Sequence, residues 1–163
     1  MKRILVAGIG NIFFGDDGFG VEVSRRLGGC ALGDDVRVID FGIRGFDLTF
    51  ALLDEGYEAV VMVDVAQRGG EPGTLYVVEP ETGAALGDIF VETHGMDPAK
   101  VLALAQAMGG KLERLRLVAC EPLAFGEDSM GMGLSPPVEA AVGPAVELVQ
   151  SVVAQLREGR PHA

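Results

Sequence analysis

Two adjacent carboxylates stand in a loop almost bare of side chains: Asp16 and Asp17 lie within Gly15-Asp16-Asp17-Gly18-Phe19-Gly20, and Gly8-Ile9-Gly10-Asn11 precedes them. A third carboxylate, Asp64, ends the apolar run Val60-Val61-Met62-Val63, and His94 stands between Thr93 and Gly95. Carboxylate oxygens with one imidazole form a mixed donor set suited to a divalent metal, and zinc, nickel, manganese and iron are all admissible. The same carboxylates are candidates for a general base acting on a hydrolytic water. Each residue also has a plainer reading. Asp16 fits a helix cap and Asp17 a first-turn acid favoured by the helix dipole. Asp64 fits a local turn, and a lone histidine is ordinarily a satisfied surface or core residue.

Placement is the argument for a joint role. Open α/β sheets bind ligands at the carboxyl ends of their strands, and the three sites follow predicted strand ends. Arg3–Ala7 is an apolar run stopped by Gly8 and Gly10, Val36–Phe41 is a second strand, and Glu58–Val65 is the most hydrophobic one. Leu75–Val78 follows the Gly69, Gly70, Pro72, Gly73 cluster with no helix-length segment before it, so it is expected antiparallel at an edge. Leu115–Cys120 is the fifth strand.

Helices are expected where the apolar period lengthens. Val21, Val23 and Leu27 mark one that Gly28 and Gly29 stop, and a short one spans Phe46–Leu53. Asp97 and Pro98 open a third, with Val101, Leu102, Leu104, Ala105 and Met108 as its apolar face. Ser135 and Pro136 open the last, with Val138, Val142, Val146, Val149 and Val153 inward and Pro144 expected to kink or split it. The order predicts a single α/β domain over residues 1–163: a three-layer sandwich with a mostly parallel, mixed five-stranded sheet and helices on both faces. Residues from Arg157 onward read as a loose tail.

Three further features sit near the same edge. Glu121, after Cys120, reads as a solvated loop acid. Arg44, in Gly42-Ile43-Arg44-Gly45-Phe46, is placed either to meet a substrate carboxylate or to lie on the surface. The glycine-rich stretch Gly126–Gly133 is the candidate for a mobile flap.

Composition narrows the partners. A net charge of −11, from 24 acidic and 13 basic residues, disfavours nucleic acid and anionic lipid. No run of about 18 uncharged apolar residues spans a bilayer and the N-terminus has no cleavage region of the signal type, so a cytoplasmic protein is expected. Cys30 and Cys120 lack metal or redox spacing and read as structural. A dinucleotide fingerprint would need glycine where Phe13 stands, and adjacent acids would repel a pyrophosphate. No Gly-x-Ser-x-Gly elbow and no His-Glu-x-x-His helix is present.

In order and spacing, Gly8–Asn11, Gly15–Gly20, the strand end at Asp64, Thr93-His94-Gly95-Met96-Asp97-Pro98 and the stretch from Gly133 resemble the hydrogenase maturation protease family over nearly the whole chain. The resemblance implies an endopeptidase that removes a C-terminal extension from a [NiFe]-hydrogenase large-subunit precursor. It implies that Asp17, Asp64 and His94 contact nickel, carried by the substrate rather than held permanently, with Asp16 as their neighbour. Asp17 is one methylene shorter than the Glu that relatives also use at that position. Lewis-acid activation by the nickel and general-base action by Asp16 or Asp17 are both open. A monomer suffices for this chemistry. Two other classes compete: an accessory protein that docks on the precursor without cutting it, and another α/β hydrolase such as a peptidyl-tRNA hydrolase, which the acidic charge disfavours.

Overall fold

The computed structural model describes residues 2–79, 98–110 and 114–159. Its elements run β1 (Arg3–Ile9), β2 (Phe14–Gly15), a single 3-10 turn (Asp16–Gly18), α1 (Phe19–Leu27), β3 (Val36–Gly42), α2 (Gly45–Leu53), β4 (Tyr57–Val65), β5 (Leu75–Val78), α3 (Pro98–Ala107), β6 (Leu115–Cys120), β7 (Phe125–Met130) and α4 (Pro136–Glu158). The main sheet has the order β3-β1-β4-β6-β5. Its first four strands are parallel and β5 runs antiparallel to β6, in the register Leu75 to Cys120. This is the expected mixed sheet of a single α/β domain.

Strand alternation sorts the core into two layers. Ile4 and Val6 of β1, with Val61, Val63 and Val65 of β4, meet Phe19, Val23 and Leu27 of α1 and Val138, Val142, Val149 and Val153 of α4. Leu5, Ala7 and Met62 point the other way, against Leu48 and Leu52 of α2 and Val101, Leu102 and Ala105 of α3. Both faces of the sheet are therefore covered, which is why the central strands read as continuous apolar runs. Burial of each large aliphatic or aromatic side chain contributes roughly 1.5–3 kcal/mol to holding the layers together.

The crossover from β1 out to β3, then back past β1 to β4, makes the gap between β1 and β4 the point where strand order reverses. Helix α1 lies directly over that gap. A Cβ on Gly20 would come within 2.1 Å of the Val63 carbonyl oxygen and 2.3 Å of that of Ile9, so only glycine lets the helix settle on the two strand ends. At Gly10 the backbone takes φ 142°, and a Cβ there would stand 1.8 Å from the Asp17 carbonyl oxygen. These two glycines bring the acidic turn down onto the carboxyl edge of the sheet.

Several expectations are corrected. Gly126–Gly133 is not a free flap over its first half: β7 pairs antiparallel with β2, Phe14 opposite Met130 and Gly15 opposite Phe125. Helix α4 runs unbroken through Pro144. Pro144 is exposed, as is Ala140 four residues earlier, so the carbonyl that loses its partner is on the water side. Val146 faces inward as expected, half-buried and packed against the core. The tail begins later than Arg157, which belongs to α4 and forks onto Asp35 at 2.5 and 2.9 Å while donating to the Leu32 carbonyl. The proposed cap Asp97 lies outside the described residues; Pro98 is the first residue of α3. Among the described residues, no helix is long and apolar enough to cross a membrane.

Candidate functional site

Asp17 and Asp64 come together at the β1–β4 switch point. Asp64 is the penultimate residue of β4, opposite Ala119 of β6, with its neighbours Val63 and Val65 packed toward α1 and α4. Alternation turns its side chain to the other face, after Met62, at the depth where the core ends. Asp17 sits in the turn that α1 grows from, and its Oδ2 accepts the Asn11 N–H at 2.8 Å. The two side chains are almost inaccessible, Asp17 at 2% and Asp64 at 3% exposure. Asp64 Oδ1 accepts the Val65 N–H at 2.8 Å.

Electrostatics shows how strained this arrangement is. Burial, and secondly the nearby Asp17 carboxylate, hold the Asp64 proton well above the usual carboxylate range, against the pull of the Val65 N–H. Two acids forced together in a poorly solvated crevice favour either a shared proton or a bound cation. Among the described residues, no group of three or more His, Cys, Asp and Glu is assembled as a metal site. His94, the expected third donor, lies outside the described residues. Two carboxylate donors are thus in place, and their chemistry fits a hard or borderline divalent cation.

Asp16 is used differently. Its carboxylate does not cap α1, whose N-cap position is Gly18 with no side-chain bond. Instead Oδ2 accepts the N–H groups of Leu123 and Ala124 at 2.8 and 2.9 Å and the Ser135 hydroxyl at 2.8 Å, while Oδ1 accepts the Ser135 N–H at 2.7 Å. Its own N–H donates to the Ala124 carbonyl at 2.8 Å. A fully buried acid thereby fastens the acidic turn to the entry of β7 and to the start of α4. Ser135, read from the sequence only as a helix opener, is its partner.

Glu121 is likewise a brace and not a solvated acid. It is 5% exposed, and its Oε1 accepts the N–H groups of Arg68 and Gly70 and the Tyr76 hydroxyl at 2.8–2.9 Å. This fixes the loop that leaves β4 after Val65, one residue beyond Asp64. A carboxylate directly following a buried strand was the only sequence signal, and it does not specify donors more than 40 residues away. Arg44 stands at the N-cap position of α2, exposed, donating to Asp47 at 3.2 Å and to the carbonyls of Phe41 and Asp40. Buried Cys120, next to Glu121, has its thiol pushed up to about 12, first by burial and then by Asp16.

Comparison with known proteins agrees with this geometry. Residues 21–152 match the family model described as hydrogenase maturation protease. The chain is 34% identical over 159 residues to the hydrogenase expression/formation protein HupD of Bradyrhizobium diazoefficiens, covering 94% of this chain and 79% of that one. It is 31% identical over 157 residues to the hydrogenase 2 maturation protease of Escherichia coli, covering 96% and 92%. Among solved structures, the hydrogenase maturating endopeptidase HybD from E. coli superposes with a TM-score of 0.79 at 31% identity, over 96% of this chain and 93% of that one.

Proposed function

The chain belongs to the hydrogenase maturation protease family and is an endopeptidase, and we propose that it removes the C-terminal extension of a [NiFe]-hydrogenase large-subunit precursor already carrying its nickel. The observation that carries this reading is the pair Asp17 and Asp64, buried side by side at the sheet's switch point, where burial first and Asp17 second push the Asp64 carboxyl above the usual carboxylate range. Such a pair binds a divalent cation better than either acid alone, because the cation removes the repulsion that burial magnifies. Nickel is then part of the substrate, recognised by Asp17 and Asp64 with His94 as the third donor. Two buried oxygen donors leave most of the ion's coordination to the precursor that brings it, which agrees with a metal that arrives and leaves with substrate.

For hydrolysis, nickel presented at this floor supplies Lewis acidity toward the scissile carbonyl or the attacking water. Asp17 is the residue we assign as base: it takes a proton from the water as its oxygen bonds to the carbonyl carbon, and it hands that proton to the leaving amine nitrogen as the peptide bond breaks. Asp16, with four hydrogen bonds already on its carboxylate, serves as a positioning residue for the turn that holds Asp17. Arg44, exposed at the same edge, is a secondary substrate contact, since a surface pair such as Arg44–Asp47 exchanges cheaply for a substrate carboxylate. The protein acts as a cytoplasmic monomer.

Asp17→Asn, Asp64→Asn and His94→Ala test the assignment by incubation with cognate precursor, followed by the mass of the large subunit. Each variant, folded by circular dichroism, is expected to leave the extension in place. Normal processing by any one of them removes that residue from the site.

A further inference from the structure

Exposed apolar side chains crowd the rim above the two carboxylates. Phe13 is 65% exposed, Met130 61% and Met132 59%, and Ile12, Ile43 and Leu123 are also exposed. The backbone ties them into one surface. The Gly131 N–H donates to the Phe13 carbonyl at 2.9 Å, and Phe14 pairs with Met130. Leu123 donates its N–H to Asp16, and Gly18 packs so closely on Ile12 that a Cβ would stand 3.2 Å from its Cα. The Gly10 N–H donates to the Gly42 carbonyl at 3.0 Å, which brings the turn bearing Ile43 alongside.

We propose that this rim, carried by the loop after β1 and the β2–β7 ribbon, is the docking surface for the folded body of the large-subunit precursor. The inference rests on the function proposed above. Exposed side chains of this size in one cluster mark an interaction surface, not a solvated one. Continuity with the site names the occupant. Asp17 and Asp64 are buried at the floor, so a protein substrate that reaches them must press on the surrounding rim. A second copy of this chain is a poor occupant, because each copy carries a charge of −11 and a dimer through the rim would cover the carboxylates. Two methionines and a phenylalanine supply apolar contact that adapts to a partner's shape. Because Asp16 bonds both the acidic turn and Leu123, a body seated on the rim is held in register with the floor.

The test is binding of nickel-loaded precursor to immobilised protein with its native Asp17, Asp64 and His94 by biolayer interferometry, read in the association phase before cleavage. Phe13→Ser with Met132→Ser is the rim variant. Leu104→Ser with Met108→Ser removes comparable exposed apolar surface at the far end of α3 and is the control. Thermal melts confirm that both are folded. The rim variant is expected to weaken binding by at least about tenfold, with the control unchanged. Equal binding by the rim variant, or equal weakening by the control, overturns the proposal. If protein with an intact rim and native carboxylates neither binds nor cleaves any precursor, the functional reading itself fails and takes this inference with it. A wild-type dimer in sedimentation that the rim substitutions dissociate would assign the surface to a second copy instead.

Discussion

Replacing Asp16 by alanine removes a carboxylate that accepts four hydrogen bonds at 2.7–2.9 Å and joins the acidic turn to the β7 entry and to α4. Hydrogen bonds to a charged acceptor contribute about 1.5–3 kcal/mol each. The four share one carboxylate, and Leu123 and Ala124 are exposed, so their N–H groups recover water in the variant. A net loss of about 3–5 kcal/mol follows, or roughly 6–20 °C in Tm for a domain of this size. Asp16→Asn separates charge from shape. Its amide oxygen keeps the three donors now on Oδ2, but its NH2 then faces the Ser135 N–H, so one donor opposes another at a cost of about 1–3 kcal/mol. Urea unfolding of wild type and both variants, with precursor processing measured on the same samples, reads stability and activity together. Alanine within about 1 kcal/mol of wild type would refute the bracing argument. Wild-type stability with abolished processing in Asp16→Asn would return Asp16 to the chemistry.

Other expectations follow from the same geometry. Asp64→Asn stabilises the fold near neutral pH. The native Asp64 proton is held above the usual range, so the unfolded chain releases it first, and wild-type stability declines as pH rises from about 4 toward the native value. In chelator the asparagine variant's Tm advantage should widen over that interval; a gap independent of pH contradicts the assignment. Cys120 is buried with its thiol raised to about 12, whereas Cys30 is partly accessible, so Ellman's reagent should titrate Cys30 in native protein and Cys120 only after denaturation. Rapid reaction of both thiols would show the β6 end to be open. Arg157→Leu removes the fork onto Asp35 and should cost about 1–3 kcal/mol, and Arg157→Lys, lacking the planar fork, should restore only part of it. Full stability of Arg157→Leu would leave Arg157 in the tail.

The main sheet was legible because its strands announce themselves locally. Buried parallel strands are apolar on both faces, and β4, β5 and β6 lie within a residue of where their apolar runs place them. The β2–β7 pair was not. Phe14 and Gly15 meet residues more than 100 positions away, and two residues beside glycines carry no strand signal of their own. The same glycines that made Gly126–Gly133 look mobile permit its turns. For the site, Asp17 and Asp64 were visible as acids at strand ends, and the structure brings them together. What spacing did not reveal is the division of labour between neighbours: Asp16, beside Asp17, is spent on a brace because Leu123, Ala124 and Ser135 converge on it only in the folded chain. Glu121 was misread for the same reason, since its donors come from a loop 51–53 residues earlier. Pro144 was read as a break because the rule counts a lost hydrogen bond without asking which side of the helix faces water.

The central claim is that this endopeptidase acts on a precursor whose nickel it recognises. Mass spectrometry of cognate large-subunit precursor, nickel-loaded and nickel-free in parallel, tests it most directly. Loss of a defined C-terminal peptide from the loaded form alone is the predicted result. Equal cleavage of both forms would contradict recognition of the nickel by Asp17, Asp64 and His94, and cleavage of neither would contradict the assigned substrate.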